Sequence, residues 1–302
     1  MRHFSHGRFR QQFRFLSRQF LQDGELPLSG ILSEDVVSEV LKDTECSWVD
    51  RIYTPMVTLW VFLSQVLSAD HSCRWAVGRL IVHRLSQGQR PCSAETGAYC
   101  KARKRLPEKF FSEVARKTGQ ELDANARESW LWKGRPVYIF DGATVMMPDT
   151  QENQKVYPQN VVQEPGLGFP IARIAAIFSL SCGAVIDLAI SRYAGKGQGE
   201  STLFRALWDV FRPGDIVVTD ALLCTWTEIL MLKQRGVDYV GQLHVMRNAD
   251  FRRGKRLGKK DHIVRWSKPF VRWMDKQSRK ALPDFLEVRE CCIYIQQPGF
   301  SS

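Results

Sequence analysis

The sequence lacks the long apolar run of a membrane-spanning helix. Its segment from Met56 to Leu67 has helical spacing but is too short and too polar to cross a bilayer. Arginines alternate with phenylalanines near the N-terminus, so the uninterrupted apolar core of a signal peptide is missing as well. The eight cysteines include no Cys-x-x-Cys pair and no spacing typical of a zinc site. We therefore expect reduced thiols, a cytosolic location and no membrane partner.

The composition is that of an ordinary globular protein. The 302 residues are 44% hydrophobic and 25% charged, which is enough chain for two domains with proper cores. The net charge is +11, and residues 246–302 carry most of the surplus, with 14 Lys and Arg against 6 Asp and Glu. Such a surface favours a polyanion such as nucleic acid, whereas the simpler alternative is a solvated surface that keeps the protein soluble.

Two basic clusters are candidate contacts for DNA phosphates. The first lies on a predicted short helix beside Tyr99, and the second lies in the basic C-terminal part of the chain. Each cluster has an alternative interpretation as a solvated basic face. The candidate residues are Lys101, Arg103, Lys104 and Arg105 in the first cluster, and Arg252, Arg253, Lys255, Arg256, Lys259 and Lys260 in the second.

Two short runs of strand-forming residues each end in an aspartate. Residues 136–140 precede Asp141, whose position predicts the last residue of a buried strand, and residues 214–219 lead to Asp220 in the same way. Two neighbouring carboxylates repel each other, and a divalent metal such as Mg²⁺ or Mn²⁺ would relieve that repulsion. The structural alternative is that Asp141 caps a turn and Asp220 caps the following helix. Taken together with the rest of the chain, the pair favours a metal site for displacement at phosphorus.

The order of predicted elements indicates an α/β protein with an all-helical N-terminal part. Residues 1–130 are predicted to form a helical DNA-binding domain. Residues 131–245 predict the order β-β-β-α-β-α-β, as in ribonuclease H-like domains, where the first and fourth strands carry adjacent acids. Residues 246–302 are basic and strand-like near their end. We expect the middle segment to form an incomplete mixed sheet and the last segment to begin a β-rich insertion.

Several motifs together resemble the DDE transposases of the insertion-sequence-four type. They are Asp141-Gly142, Met147 to Thr150, Tyr157-Pro158-Gln159, Gly197 to Glu200, Gly214-Asp215 with Asp220, Gln242-Leu243-His244 and, in the first domain, Thr96 to Cys100 with Ala102-Arg103 and Arg105-Leu106. The resemblance implies that Asp141 and Asp220 are the two metal-binding catalytic aspartates and that Mg²⁺ is the usual metal. It also implies cleavage and transfer of double-stranded DNA at transposon ends, in bacterial cytoplasm at the nucleoid, with a homodimer as a further expectation and no small-molecule substrate.

The chain departs from the family pattern in two places. Ala221 and Leu222 follow Asp220 where the family typically has Arg and an aromatic residue. The third acid belongs to a Tyr-x2-Arg-x3-Glu-x6-Lys helix, which the chain lacks, so we expect a C-terminally truncated protein. Tyr193, Lys196 and Glu200 have the right first spacing but precede Asp220, and Glu287 and Glu290 lack the required Tyr and Arg before them.

Three functions remain open on these grounds. The first is a transposase-derived enzyme with weak or no strand transfer, because its triad lacks the third acid. The second is a non-catalytic DNA-binding fragment that occupies transposon ends or inhibits full-length transposase. The third is an unrelated basic nuclease of ribonuclease H-like fold, which would require a different third acid.

Overall fold

A computed structural model describes residue 32 and residues 34–44, 51–271 and 274–294. The chain divides into two compact units, with the division between Thr118 and Gly119. This division falls inside the predicted first domain. The basic aromatic arm at the N-terminus lies outside the described residues, as does the end of the predicted C-terminal segment.

The described part of the first unit is helical, as the sequence predicts. The helices of the N-terminal part are α1 (Glu34–Asp43), α2 (Pro55–Leu67), α3 (Cys73–Ser86), α4 (Gly97–Arg105) and α5 (Glu108–Ala124). Hydroxyl side chains start two of them: the Thr54 hydroxyl accepts from the Val57 amide, and the Ser72 hydroxyl accepts from the Trp75 amide. Two apolar clusters hold the helices together, one around Val37, Leu59 and Phe110 and one around Val61, Ala76 and Tyr99.

The second unit is built on a mixed five-stranded sheet, which confirms the α/β class. Its strands are β1 (Val137–Met146), β2 (Ile171–Ser179), β3 (Val185–Arg192), β4 (Ile216–Thr219) and β5 (Asp238–Gly241), in the order β3-β2-β1-β4-β5. The β1-β2 and β2-β3 pairs are antiparallel, and the β1-β4 and β4-β5 pairs are parallel. The first and fourth strands are therefore neighbours.

Three helices of the second unit lie between strands of this sheet in the chain, and the fourth lies between two later strands. They are α6 (Gln151–Val156), α7 (Glu200–Ala206), α8 (Trp226–Gln234) and α9 (Lys276–Ala281). Phe204 of α7 packs on Phe140 of β1 with ring centroids 4.6 Å apart, at the centre of an apolar core that also includes Val217 and Leu232. Apolar residues at helical spacing continue to Phe211, but α7 ends at Ala206 and a 3₁₀ turn over Trp208–Val210 follows.

Strand β1 is longer than the sequence predicted, so Asp141 is not its last residue. The strand continues to Met146, because β2 pairs with it along the whole range from Tyr138 to Met146. The parallel partner β4 pairs only with Val137 to Ile139. Asp141 therefore lies in the strand just past the point where β4 stops, and its side chain is exposed rather than buried.

Residues near the C-terminal end of the described chain form a second, antiparallel sheet. It contains β6 (Lys255–Gly258), β7 (Asp261–Ser267) and β8 (Phe285–Cys291), in the order β6-β7-β8. Trp266 and Leu286 of this sheet cluster with Trp226 and Leu230 of α8. The indole N–H of Trp226 donates to the Trp266 carbonyl at 3.0 Å. The strand-like pattern near residue 285 thus belongs to a three-stranded sheet.

The described cysteines are all free thiols. The Cys100 thiol donates a hydrogen bond to the Cys73 sulfur at 3.9 Å, and no disulfide joins the two. In the described part of the chain, no helix has the length and apolar character needed to cross a membrane.

Candidate carboxylate site and basic surfaces

The sheet register brings the two predicted catalytic aspartates to the same place. Ile139 of β1 pairs with Val218 of β4 in a parallel ladder, and each aspartate follows two residues later in its own chain segment. Neighbouring strands lie about 4.8 Å apart, so equivalent positions on them are close. Both side chains are exposed at this edge of the sheet. The geometry therefore places Asp141 and Asp220 side by side, facing solvent.

Asp220 performs the capping role that the alternative interpretation assigned to it, whereas Asp141 lies within β1 and caps no turn. Asp220 Oδ1 accepts hydrogen bonds from the Leu222 and Leu223 amides at 3.0 Å and 3.4 Å, which caps the 3₁₀ turn Ala221–Leu223. Asp141 Oδ1 accepts from the Gly142 amide at 2.8 Å. Among the described residues no hydrogen bond engages Oδ2 of either aspartate. One oxygen of each carboxylate thus accepts hydrogen bonds from the backbone, and within the described chain the other oxygen has no hydrogen-bond donor.

A third carboxylate, that of Glu200, lies against the same edge of the sheet. Glu200 begins helix α7, directly after Gly199. A Cβ atom added to Gly142 would stand only 2.4 Å from Glu200 Oε1, so the carboxylate occupies the space that a side chain at position 142 would need. Burial raises the pKa of Glu200, and the negative charges of Asp220 and Asp141 raise it further, while the positive charge of Arg173 opposes them. Glu200 is therefore within electrostatic reach of both aspartates.

The donor set is suited to a hard divalent cation. Mg²⁺ and Mn²⁺ prefer carboxylate and water oxygens. The pKa of Glu200 is raised first by burial and then by repulsion from Asp220 and Asp141, and a bound cation would relieve that repulsion. No three His, Cys, Asp or Glu side chains of the described chain are gathered tightly enough to hold an ion as they stand. Asp141 and Gly142 are consecutive in β1, so the Asp141 side chain leaves the strand on the face opposite to Glu200. The three carboxylates would meet at the open edge of β1 past the end of its ladder with β4.

The two late glutamates considered from the sequence have other partners. Glu287 accepts a hydrogen bond from Arg265 at 3.0 Å, and Glu290 binds His262 at 2.9 Å and Trp266 at 2.6 Å. Both glutamates lie on β8 and stabilise the three-stranded sheet. Their hydrogen bonds assign them a structural role there.

The first basic cluster lies on α4 and divides into exposed and packed residues. Lys101, Lys104 and Arg105 are exposed. Arg103 is half-buried, donates to Gln65 Oε1 at 2.9 Å, and lies over the Tyr99 ring at 5.5 Å. Its guanidinium therefore links α4 to α2, and three of the four predicted residues remain available to an anion.

The second basic cluster lies on and before the β6-β7 hairpin, and all six of its members are exposed. Arg252 and Arg253 both pair with Asp250 and lower its pKa to about 2. Two others have local hydrogen bonds, Arg256 to the Gly258 carbonyl and Lys260 to the Tyr294 hydroxyl. For Lys255 and Lys259 the described structure records no partner. These two lysines are the members of the cluster best placed to bind phosphate.

Sequence reasoning missed the position of Glu200 because it followed the order of the family motif. Glu200 precedes Asp220 in the chain, whereas the third acid of the resembled family follows it. The local signal was present nonetheless: a glycine-rich loop led to an acid at the start of an amphipathic helix. A scan against protein-family models finds no matching family, and a search of curated proteins finds no match either.

Proposed function

We propose that the protein cleaves and joins DNA strands by metal-dependent phosphoryl transfer, as a transposase-type enzyme with a ribonuclease H-like catalytic core. Asp141, Asp220 and Glu200 would hold Mg²⁺ or Mn²⁺, and double-stranded DNA would be the substrate. The observation that carries the proposal is that the two aspartates stand at equivalent positions, two residues after the Ile139–Val218 pair of the parallel β1-β4 ladder, with Glu200 against Gly142 beside them. A cytoplasmic, nucleoid-associated protein that acts as a homodimer belongs to the same proposal.

The strand order supports the ribonuclease H-like part of the proposal. Three antiparallel strands are followed by two parallel ones, and the first and fourth strands are neighbours. This is the adjacency that the resemblance to transposases requires for its two aspartates. The proposal therefore draws on the topology as well as on the motifs.

The chemistry follows from the donor set and the exposure of the site. Divalent ions in such sites activate the attacking oxygen and stabilise the leaving oxygen at phosphorus. The three carboxylates would fix the position of the metal, and the capping bonds to Asp220 would limit the rotation of its side chain. Because both aspartates face solvent, the edge of the sheet is accessible to a DNA backbone.

Glu200 changes the expectation that this chain lacks a third acid. If Glu200 supplies that carboxylate, residues 1–302 have the donors for strand cleavage without the acid-bearing helix of the resembled family. A non-catalytic DNA-binding protein is the second candidate. It is favoured by the backbone bonds that already engage both aspartates, and by Ala221 in the place of a basic residue.

A strand-cleavage assay on supercoiled plasmid DNA with Mg²⁺ or Mn²⁺ separates the two candidates. The comparison includes the unaltered protein, Asp141→Asn, Asp220→Asn and Glu200→Gln. Glu164→Gln is the control, because Glu164 is an exposed acid between α6 and β2. We expect metal-dependent nicking by the unaltered protein and by Glu164→Gln, and a loss of at least about 100-fold in the other three. DNA binding without nicking would favour the second candidate. Nicking that survives Asp141→Asn would refute the site.

A further inference from the structure

Arg173 lies on the same face of the sheet as Glu200, the third carboxylate of the proposed site. Gly142 of β1 pairs with Ala175 of β2 in the antiparallel ladder, and directly paired residues share a face of the sheet. Arg173 is two residues before Ala175 on β2, so it shares that face too. Glu200 lies against this face at Gly142. The register therefore places Arg173 two residues along β2 from the residue that pairs with Gly142, close to the Glu200 carboxylate.

Tyr193 limits the positions that the Arg173 side chain can take. Ser191 of β3 pairs with Arg173, and Tyr193 follows two residues later. The guanidinium carbon lies 5.5 Å from the centre of the Tyr193 ring, and Nη2 lies 3.5 Å from the Tyr193 carbonyl oxygen. A guanidinium has five N–H donors, so this single long contact leaves most of them for another acceptor. Tyr193 thus orients the Arg173 guanidinium and leaves several of its N–H donors for another acceptor.

We propose that Arg173 binds a non-bridging oxygen of the scissile phosphodiester in the metal-loaded site. This inference rests on the proposed function. The residue after Asp220 is Ala221, so the chain has no cation there, and Arg173 provides one from a different strand. A planar guanidinium suits the task because it can donate two parallel hydrogen bonds to one phosphate.

The charges at the site make this contact dependent on the metal. Three carboxylates and one guanidinium carry a formal charge of about −2, which repels a phosphodiester. A bound divalent cation offsets that charge, and the phosphate can then approach Arg173. A purely structural role for Arg173, such as positioning Tyr193 or neutralising Glu200, does not predict a metal-dependent DNA contact.

The test measures how the affinity for a duplex oligonucleotide changes with salt, in the presence and absence of Mn²⁺. The full chain is compared with Arg173→Gln, Arg173→Lys, Asp220→Asn and Lys104→Gln, where Lys104 is the control for loss of one exposed positive charge. Each lost phosphate contact lowers the slope of log affinity against log salt by about 0.9. We expect Arg173→Gln to lose about one contact with Mn²⁺ and none without it, and Arg173→Lys to retain most of the effect. For Lys104→Gln the change should be the same in both conditions.

The outcomes distinguish this inference from the function on which it rests. If the unaltered protein binds DNA more tightly with Mn²⁺, if Asp220→Asn abolishes that gain, and if Arg173→Gln matches the unaltered protein in both conditions, the role of Arg173 is refuted while the metal site stands. A slope change for Arg173→Gln that is equal with and without Mn²⁺ also refutes it, because the contact would then be independent of the metal. If Mn²⁺ has no effect on any variant, the proposed metal site fails, and the role of Arg173 fails with it.

Discussion

At the scale of single residues, the Glu200 carboxylate occupies the space that a side chain at position 142 would need. The glycine leaves room for the carboxylate, and only the flexible end of the Glu200 side chain would meet a methyl group there. We expect Gly142→Ala to displace the Glu200 carboxylate and leave the fold intact, with a change in unfolding free energy below about 1 kcal/mol. Mn²⁺ affinity and plasmid nicking should fall to the level of Glu200→Gln.

Gly199→Ala is the matched control for that change. Gly199 also adjoins Glu200, but a Cβ atom there would meet no atom within 4 Å, and its φ of −75° is open to alanine. This variant should keep its metal affinity and nicking. Equal losses in Gly142→Ala and Gly199→Ala would mean that disturbance of the loop, and not displacement of Glu200, is responsible.

A second residue-scale prediction concerns the buried His262. Its Nε2 lies 2.9 Å from Glu290, its Nδ1 lies 2.7 Å from the Arg253 carbonyl, and Asp250 adds a further negative charge. These groups raise the pKa of His262 above its ordinary value near 6.5. A raised histidine pKa means that the folded state holds the proton more tightly, so the stabilisation is full at low pH and is lost as the pH rises through the folded pKa.

Urea unfolding of the protein and of His262→Gln over a range of pH tests whether this stabilisation is lost as the pH rises. The stability advantage of the unaltered protein should be largest below pH about 6.5 and should shrink at higher pH. The control is His244→Gln, a histidine of the same unit for which the described structure records no carboxylate contact. An advantage that grows with pH would contradict the assignment of a charged His262 paired with Glu290.

The capping role of Asp220 and its adjacency to Asp141 could be predicted from the sequence, and the approach of Glu200 to them could not. The cap at Asp220 depends only on the next three residues, and the Asp-Gly pair at 141 is equally local. The position of Glu200 depends on how α7 returns to β1 after a hairpin and a glycine-rich loop. No spacing rule encodes that return, and only the three-dimensional arrangement brings Glu200 to the aspartates.

At the scale of elements, the part of α5 that belongs to the second unit, from Gly119 onward, approaches β3 so closely that it requires a glycine. A Cβ atom on Gly119 would stand 1.9 Å from the Val185 carbonyl oxygen and 2.9 Å from its carbonyl carbon, and neither backbone atom can rotate away. Alanine has the higher helix propensity by about 1 kcal/mol, yet the clash should outweigh it. We expect Gly119→Ala to lower the free energy of unfolding by about 1 to 3 kcal/mol.

The opposite sign is expected for Gly78→Ala in α3. No atom lies within 4 Å of a Cβ added at Gly78, so helix propensity should decide, and stability should rise by about 0.5 to 1 kcal/mol. Scanning calorimetry of both variants tests the pair. If Gly119→Ala were as stable as Gly78→Ala, the packing of α5 against β3 would be wrong.

Element types followed from the sequence more readily than element lengths. The helix start at Thr225 and the β2-β3 hairpin depend on caps and alternation within a few residues. The extension of β1 to Met146 depends on how far β2 pairs with it, and the early end of α7 depends on the 3₁₀ turn that follows. The lengths of strands and helices depend on partners that lie far away in the sequence, so local sequence patterns do not predict them.

At the scale of the whole molecule, the uneven charge is the property most directly tied to a polyanionic partner. The net charge is +11, and folding leaves the six basic residues on and before the β6-β7 hairpin exposed. Several of them pair with neighbours, so the count of positive residues overstates the charge that is available to DNA. The affinity for DNA should therefore depend more on the position of the positive residues than on the net charge.

Two double variants with the same net charge test this point. Lys255→Gln with Lys259→Gln removes two lysines of the hairpin for which the described structure records no partner, and Lys276→Gln with Lys280→Gln removes two exposed lysines of α9. Each neutralised phosphate contact contributes about 0.9 to the salt slope. The hairpin variant should therefore lose up to about 2 units of slope, measured by fluorescence anisotropy on duplex DNA. The α9 variant should lose less, because a distributed charge steers DNA without contacting a phosphate. Equal losses would show that net charge alone attracts the DNA, and an affinity insensitive to salt in the unaltered protein would exclude a phosphate-binding surface altogether.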